Sequence, residues 1–431
     1  MNIGVIIGRI GGTDGVAQET DKWIRVLRSM GHSVYTIAGQ YQERSPDPLT
    51  ETHCPEMSFS SPESFLSQKK AFFYPETDAQ ELIEEIRHHS TVIRDCIIAW
   101  IEQRNLDLLI SENASSLPSH LEMGLAIRSV LRKTGMPAIT HDHDFAWDRG
   151  DRYRSPQPRI NEFVEEIFPL RSDRVIHAVI NTHASSLLKE RYGCDPEVVP
   201  NVMDFDLSFG DKNPGSIQLS EKLGISSKDI LLVQATRILR RKGIDTAIRL
   251  VHALHNPRVK LLITGSYPDD AGSAYYQELL GLVDELKLQD QVHFAHSQLL
   301  PEGPYRNPEK LVFSASDAYA CATACTYFSR HEGFGNEFVE AVLARKPVFV
   351  NNYEPVFMPE IGSKGFKTVM IEHGNLTGEA IEEITEILQD PVKAGEMAAF
   401  NFQLGKKYFS FETLRLKLQT LLNRALGASE Y

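Results

Sequence analysis

The chain is short of cysteine, of basic charge and of long apolar runs. Its 431 residues hold five cysteines, Cys54, Cys96, Cys194, Cys321 and Cys325, an odd number at irregular spacing. That excludes a disulfide framework and points to a reducing compartment, the cytoplasm. Cys321 and Cys325 stand four apart in an apolar run and read as small core residues rather than a metal pair. No stretch approaches the ~18 uninterrupted apolar residues of a membrane span. No charged start followed by an apolar core and a cleavage site marks a secretory signal; the apolar run IGVIIG at 3–8 reads as a buried strand instead. Basic residues number 45 against 58 acidic ones, a formal charge of −13. Wholesale binding to nucleic acid and strong membrane association both need a large basic surface, and both are excluded as main functions.

What is present is globular. Apolar residues make up 42% and charged residues 24%, so disorder is excluded as the main state. At ~150 residues per domain the length allows two or three domains, and two is the simpler reading. Residues 1–40 read as strand, glycine turn, helix with apolar residues at Val16, Trp23, Val26, Leu27 and Met30, then strand. Residues 41–75 read as an irregular excursion near the acceptor side, 78–104 as a long helix, and 106–111 and 136–140 as buried strands flanking a helix that Gly135 ends. Runs at 174–181 and 197–201 close the first half. The pattern restarts at 229–238 and continues through alternating helices and the runs at 292–295, 311–322 and 346–352. Apolar runs alternating with amphipathic helices mean parallel sheets covered on both faces. Asp204 to Lys228, with Asn, Pro, Gly and Ser, reads as the linker.

Four constellations carry chemistry. Gly11, Gly12 and Gly15, around Thr13 and Asp14, follow a strand and precede a helix. The turn either admits a ligand's phosphates to the backbone or simply requires positive φ. Its spacing is not GxGxxG, which argues against a nicotinamide oxidoreductase. Arg237, Arg240, Arg241 and Lys242 crowd the end of a strand, where α/β folds bind ligands, and read as a diphosphate pocket or as a solvated basic turn. Glu332 and Glu340 flank the turn Gly333-Phe334-Gly335, so that two carboxylates reach two sets of hydroxyls, as in a sugar and a ribose. The segment His141-Asp142-His143-Asp144 could be read as a metal-binding DxD or a zinc pair, but no further ligands can be placed. Past it, Arg149, Arg152 and Arg154 suit an acceptor carboxylate or phosphate, or are a solvated turn.

EGFGNEFVEAVLARKPV is similar to the E-x7-E motif of retaining GT-B glycosyltransferases of family 4. RILRRKG resembles that family's R-x4-K-G phosphate motif, and VVPNVMDFD the segment that opens its second domain. The resemblance implies an α/β fold of GT-B type, two doubly wound Rossmann-like domains with an interdomain cleft. It places an acceptor domain at 1–203, with a helix at 411–431 packing back on it, and a donor domain at 204–410. It implies a retaining hexosyltransferase that closes over a nucleotide-diphospho-sugar and a small soluble acceptor. No cofactor or essential divalent metal is expected, with Arg and Lys in the cation's place. A homo-oligomer stays open. Arg237 and Lys242 would hold the diphosphate, Glu332 the donor sugar and Glu340 the ribose. Gly333, Phe334 and Gly335 would line sugar and phosphates, and Gly12 would approach the diphosphate or acceptor. The family's histidine matches His141 best, with His143 the competitor. Asp14 and His143 join the arginines as acceptor-side candidates. GTDGVAQE, HDHDF, VIN and PNVMDFD resemble a bacterial subgroup, the mannosylglucosylglycerate synthases, which favours GDP-mannose, with UDP-glucose next. A sugar phosphorylase, a nucleotide-sugar 2-epimerase and a non-catalytic sugar-nucleotide binder are the alternatives.

Overall fold

The computed structural model describes residues 1–12, 14–42, 44–266, 270–295 and 313–427, with the side chains of 270–272 excepted. Thr13 of the glycine turn, residues 267–269 and the head of the 311–322 run lie outside these. The chain divides into two units. One comprises Met1–Pro200 with the described chain from Leu414 onward, and the other Asn201–Thr413.

In the first unit seven strands form one parallel sheet: β1 (Asn2–Ile10), β2 (Ser33–Tyr41), β3 (Glu51–His53), β4 (Leu108–Glu112), β5 (Ala138–Asp142), β6 (Val175–Val179) and β7 (Glu197–Val198), in the order β3-β2-β1-β4-β5-β6-β7. Both β4 and β5 are buried along their whole length, because helices cover both faces. Those helices are α1 (Gly15–Ser29), α2 (Pro62–Phe72), α3 (Ala79–Arg104), α4 (Leu121–Thr134), α5 (Pro158–Ile167) and α6 (Thr182–Tyr192). Asp14 and Asp78 start α1 and α3 by accepting from two backbone N–H groups each. Chain order reverses between β1 and β4, so their C-terminal ends open a crevice of the kind where doubly wound folds bind ligands.

The second unit repeats the plan with β8 (Ile230–Gln234), β9 (Val259–Ile263), β10 (Val292–Phe294), β11 (Ala324–Tyr327), β12 (Val348–Asn352) and β13 (Val369–Glu372), parallel in the order β10-β9-β8-β11-β12-β13. Its helices are α7 (Pro214–Lys222), α8 (Ile244–Ala253), α9 (Asp270–Glu285), α10 (Ala315–Cys321), α11 (Asn336–Leu343), α12 (Phe357–Glu360), α13 (Gly378–Gln389) and α14 (Pro391–Phe409). The switch point lies between β8 and β11. The last helix, α15 (Phe411–Leu426), carries the chain back to the first unit. There Leu418, Leu421 and Leu422 are buried and Lys417 pairs with Glu197 at 2.5 Å. Among the described residues no helix is long and apolar enough to cross a membrane.

The structure corrects three expectations. Residues 41–75 are not irregular: they hold β3 and α2, which Ser61 caps and Pro62 opens. The 204–228 stretch is no linker, since it belongs to the second unit and contains α7, started by an Asn213 capping box. Within 311–322 the described chain is largely helical, because Ser314 and Asp317 cap each other's backbone and begin α10.

A buried polar network joins β5 to β6. Thr140 and His177 stand opposite each other in the sheet. Thr140 Oγ1 donates to Asp142 Oδ2 at 2.7 Å and lies 2.9 Å from His177 Nδ1, which is 3.3 Å from the same carboxylate oxygen. Burial by itself pulls the imidazole down, but Asp142, with Cys194 adding to it, lifts it to about 9. A histidine raised above its unfolded value of ~6.5 contributes stability that is complete below that pH and lost as pH climbs toward the folded value. The urea midpoint is therefore expected to fall between about pH 6.5 and about pH 9. Asp142→Asn should flatten this slope; a slope retained in that variant would assign the titration elsewhere.

Candidate active site

Each unit gathers its candidate residues at the C-terminal strand ends beside its switch point. In the first unit His141 lies near the end of β5 and is buried. Glu112, the last residue of β4, meets His141 Nδ1 at 2.8 Å. The indole of Trp23 on α1 stacks on the imidazole, with centroids 4.0 Å apart. A carboxylate on Nδ1 selects the tautomer protonated there and leaves Nε2 as the acceptor nitrogen. The ring of His143 sits 4.3 Å from that of His141. Burial, reinforced by His141 and Lys22, holds His143 well below the usual histidine range, so it is neutral near pH 7. The turn that carries it is tied to Asn113, whose Oδ1 accepts from the His143 N–H at 3.0 Å and whose Nδ2 donates to Asp144 at 3.0 Å. Glu112, His141 and His143 offer ligand atoms that all lie within 4.8 Å of one another. The third ligand that sequence could not place beside the histidines is thus Glu112, and this is the set that could hold a divalent ion.

Beside this group opens a cavity of about 860 Å³, bounded by the ends of β1 and β4, by α2, and by the 146–153 turn. Asp14 lines it, but its side chain is committed: it caps α1 and receives Arg9 Nη2 at 2.7 Å. Arg149 lines it while paired with Asp144, and Arg152 lines it as well. Arg154 does not line it; its side chain is 78% exposed and 3.9 Å from Asp151. Gly11 and Gly12 both hold positive φ, 85° and 70°, and a Cβ on Gly12 would stand 2.3 Å from Gln42 Oε1. The turn thus requires glycine on conformational grounds alone.

In the second unit the basic turn follows β8. Lys242 is buried, and its ammonium lies 2.6 Å from Glu332 Oε1 while also bonding Glu337. Arg241 Nη1 donates to Glu332 Oε2 at 2.7 Å. Burial would raise the Glu332 carboxyl, but Lys242 and Arg241 outweigh it and hold the group below the usual carboxylate range. Gly243 makes the approach possible: its φ is +63°, and a Cβ there would lie 2.0 Å from the carbonyl oxygen of Phe328. Gly335 caps α11, placing Glu340 on that helix, where it accepts from the buried Tyr319 hydroxyl at 2.9 Å. Burial and then Glu340 raise the Tyr319 phenol well above its usual range, which keeps it the donor. Phe334 is buried, while Gly333 is exposed.

Among the residues picked out in the sequence, Lys242, Glu332 and the 333–335 turn come together. Arg237 is exposed and forms no ion pair with a described residue; the arginine that reaches Glu332 is Arg241. Glu337 was missed. It sits in the first turn of α11, bonds Lys242, and accepts from Thr236 Oγ1 at 3.3 Å. Glu112 and Trp23 were missed as site residues, because one sits at a strand end and the other in the apolar stripe of a helix.

Two parallel doubly wound sheets, one in each unit, match a known architecture. A family model, glycosyl transferases group 1, matches residues 216–401. A solved glycosyltransferase from Rickettsia africae superposes with a TM-score of 0.66 at 14% identity, covering 99% of each chain. The fold is that of the GT-B glycosyltransferases. Mannosylglucosylglycerate synthase of Petrotoga mobilis is 32% identical over 448 residues, covering 96% of this chain and 100% of that protein. The enzyme of the same name from Thermotoga maritima is 32% identical over 461 residues, covering 98% and 99%. The chain belongs to the glycosyltransferase family that these relatives represent, and the activity is glycosyl transfer from a nucleotide-sugar.

Removing Lys242 tests the second-unit cluster. Lys242→Met would leave Glu332 and Glu337 facing each other without that cation, and breaking such a buried pair costs about 3–5 kcal/mol. Urea denaturation should show this loss. The double variant Lys242→Met, Glu332→Gln should recover part of it. Parental stability in Lys242→Met would mean the pairing contributes nothing.

Proposed function

We propose that this chain is a retaining hexosyltransferase of family 4 that moves mannose from GDP-mannose to a small soluble glucoside of glycerate. The observation that carries this is the full-length relation to two proteins named mannosylglucosylglycerate synthase. Their name describes a mannose joined to a glucosylglycerate, which makes the latter the acceptor half. The donor lies on the second unit. Lys242 and Arg237, with Arg241 beside them, stabilise charge on the departing diphosphate, Glu332 contacts the hexose, and Glu340 holds the ribose. The 333–335 backbone lines the sugar and phosphates. Gly12 and His141 serve the reacting end from the first unit, and the acceptor lies there with His143 and Arg152 near it.

In the transfer, the bond from the anomeric carbon to the phosphate oxygen breaks as the acceptor hydroxyl bonds the same face. The departing phosphate oxygen takes that hydroxyl's proton, so no enzyme nucleophile is required and configuration is retained. The cluster around Lys242 is suited to this. Its two cations are neutralised by Glu332 and Glu337 in the free protein and can turn to phosphate oxygens when a donor binds. Fixed cations of this kind do the work of a divalent ion.

The test is a thermal-shift panel of GDP, UDP and ADP, followed by product analysis with GDP-mannose and glucosylglycerate. A ligand at 100 times its Kd stabilises by about 2.7 kcal/mol, so the preferred nucleotide stands out. GDP should give the largest shift, and transfer should persist in EDTA with the α-configuration of mannose kept. A larger shift with UDP would redirect the donor assignment to UDP-glucose, and phosphate-dependent breakdown of the product would favour a phosphorylase. Glu332→Gln should lower kcat by about 10²-fold or more if the carboxylate serves the transition state. Full turnover in that variant would remove its contact with the hexose.

A further inference from the structure

The first-unit cavity contains a charge imbalance that its own residues leave unresolved. Four cations line it: Arg9, Lys69, Arg149 and Arg152. Two are neutralised in place, Arg9 by Asp14 and Arg149 by Asp144. The third lining acid, Glu112, is engaged with His141. Lys69 and Arg152 have no carboxylate partner among the described residues. Each lies against an aromatic ring of the wall instead. Lys69 Nζ is 4.4 Å from the Phe65 centroid, and Arg152 Cζ is 5.5 Å from that of Tyr153. A cation resting on a ring face keeps its full charge available to an anion. In a chain of net charge −13, two cations without a carboxylate partner lining one cavity select an anionic ligand.

The same wall says what the rest of that ligand is. Phe65 and Phe73 are 55% and 58% exposed, and Phe59 and Tyr74 line the cavity beside them. Aromatic surface so exposed at the rim of a cavity marks a binding surface. Glycan rings present exactly such a need: an apolar C–H face for stacking and hydroxyls for the polar floor, here Asn113, Gln68 and Ser119.

We propose that Lys69 and Arg152 hold the carboxylate of an anionic glycoside acceptor, and that the aromatic side chains of Phe59, Phe65, Phe73 and Tyr74 pack against its sugar ring. The assignment rests on the transferase reading above. It adds Lys69, which no sequence motif marks, and it sets aside Arg154, which lies off the cavity.

The test compares glucosylglycerate with its neutral counterpart glucosylglycerol in the parent, Lys69→Gln, Arg152→Gln and the double variant. Steady-state transfer and calorimetric titration without donor are both measured. Each charge-assisted contact is worth a factor of roughly 10–100. Each single variant should raise KM for the acid by about that factor with kcat kept, and the double variant should abolish the preference for the acid over the neutral glucoside. Lys69→Arg should retain most of the preference. Equal KM changes for both acceptors, or no change for the acid, would overturn the proposal. If no transfer occurs with any donor, the transferase reading fails, and the titration still decides the pocket. Acid binding by the parent that is lost in the double variant supports it, and no acid binding by the parent overturns it.

Discussion

A lysine ammonium is kept out of water only where carboxylates accompany it, and Lys242 has two. That requirement organises the second unit's site. To reach Lys242, the turn after β8 must press against the chain after β11, and only a glycine at 243 allows this with the Phe328 carbonyl so close. Glu332 must sit before α11 and Glu337 within its first turn, where the helix N-terminus also favours negative charge. Arg241 then closes the opposite side of Glu332. The outcome is a compact, charge-balanced cluster of two cations and two carboxylates.

The first unit meets the same topological situation with different chemistry. Its switch point is served by neutral His143 and by an imidazole oriented by Glu112 and Trp23. The second unit collects a compact cluster of paired charges, and the first adds ring faces and hydrogen-bonding groups to the charged side chains of a cavity of about 860 Å³.

Much of this was legible in the sequence. The alternation of apolar runs and amphipathic helices gave two parallel sheets, because strands buried on both faces cannot show a polar face. Lys242 and Glu332, picked out by R-x4-K and E-x7-E, come together because each lies in a turn just past the end of a strand, β8 and β11. Other parts were hidden. Residues 41–75 looked irregular since α2 leaves Phe65 and Leu66 exposed, which blurs the apolar stripe that reveals a helix. The choice between Arg237 and Arg241 could not be read from spacing, because it depends on which way the turn folds over Glu332.

By itself the sequence determined the fold class, the placement of the phosphate-type and carboxylate motifs, and the net acidic charge. These follow from local periodicity, turn chemistry and summed charge. Only the tertiary structure decided the partners. Glu112 joins His141 from a strand 29 residues away, and Glu337 joins Lys242 across 95 residues. Which cations are neutralised and which stay available was settled by packing as well. Pairing depends on distance in space, and distance in space is set by sheet order, which no local pattern of residues encodes.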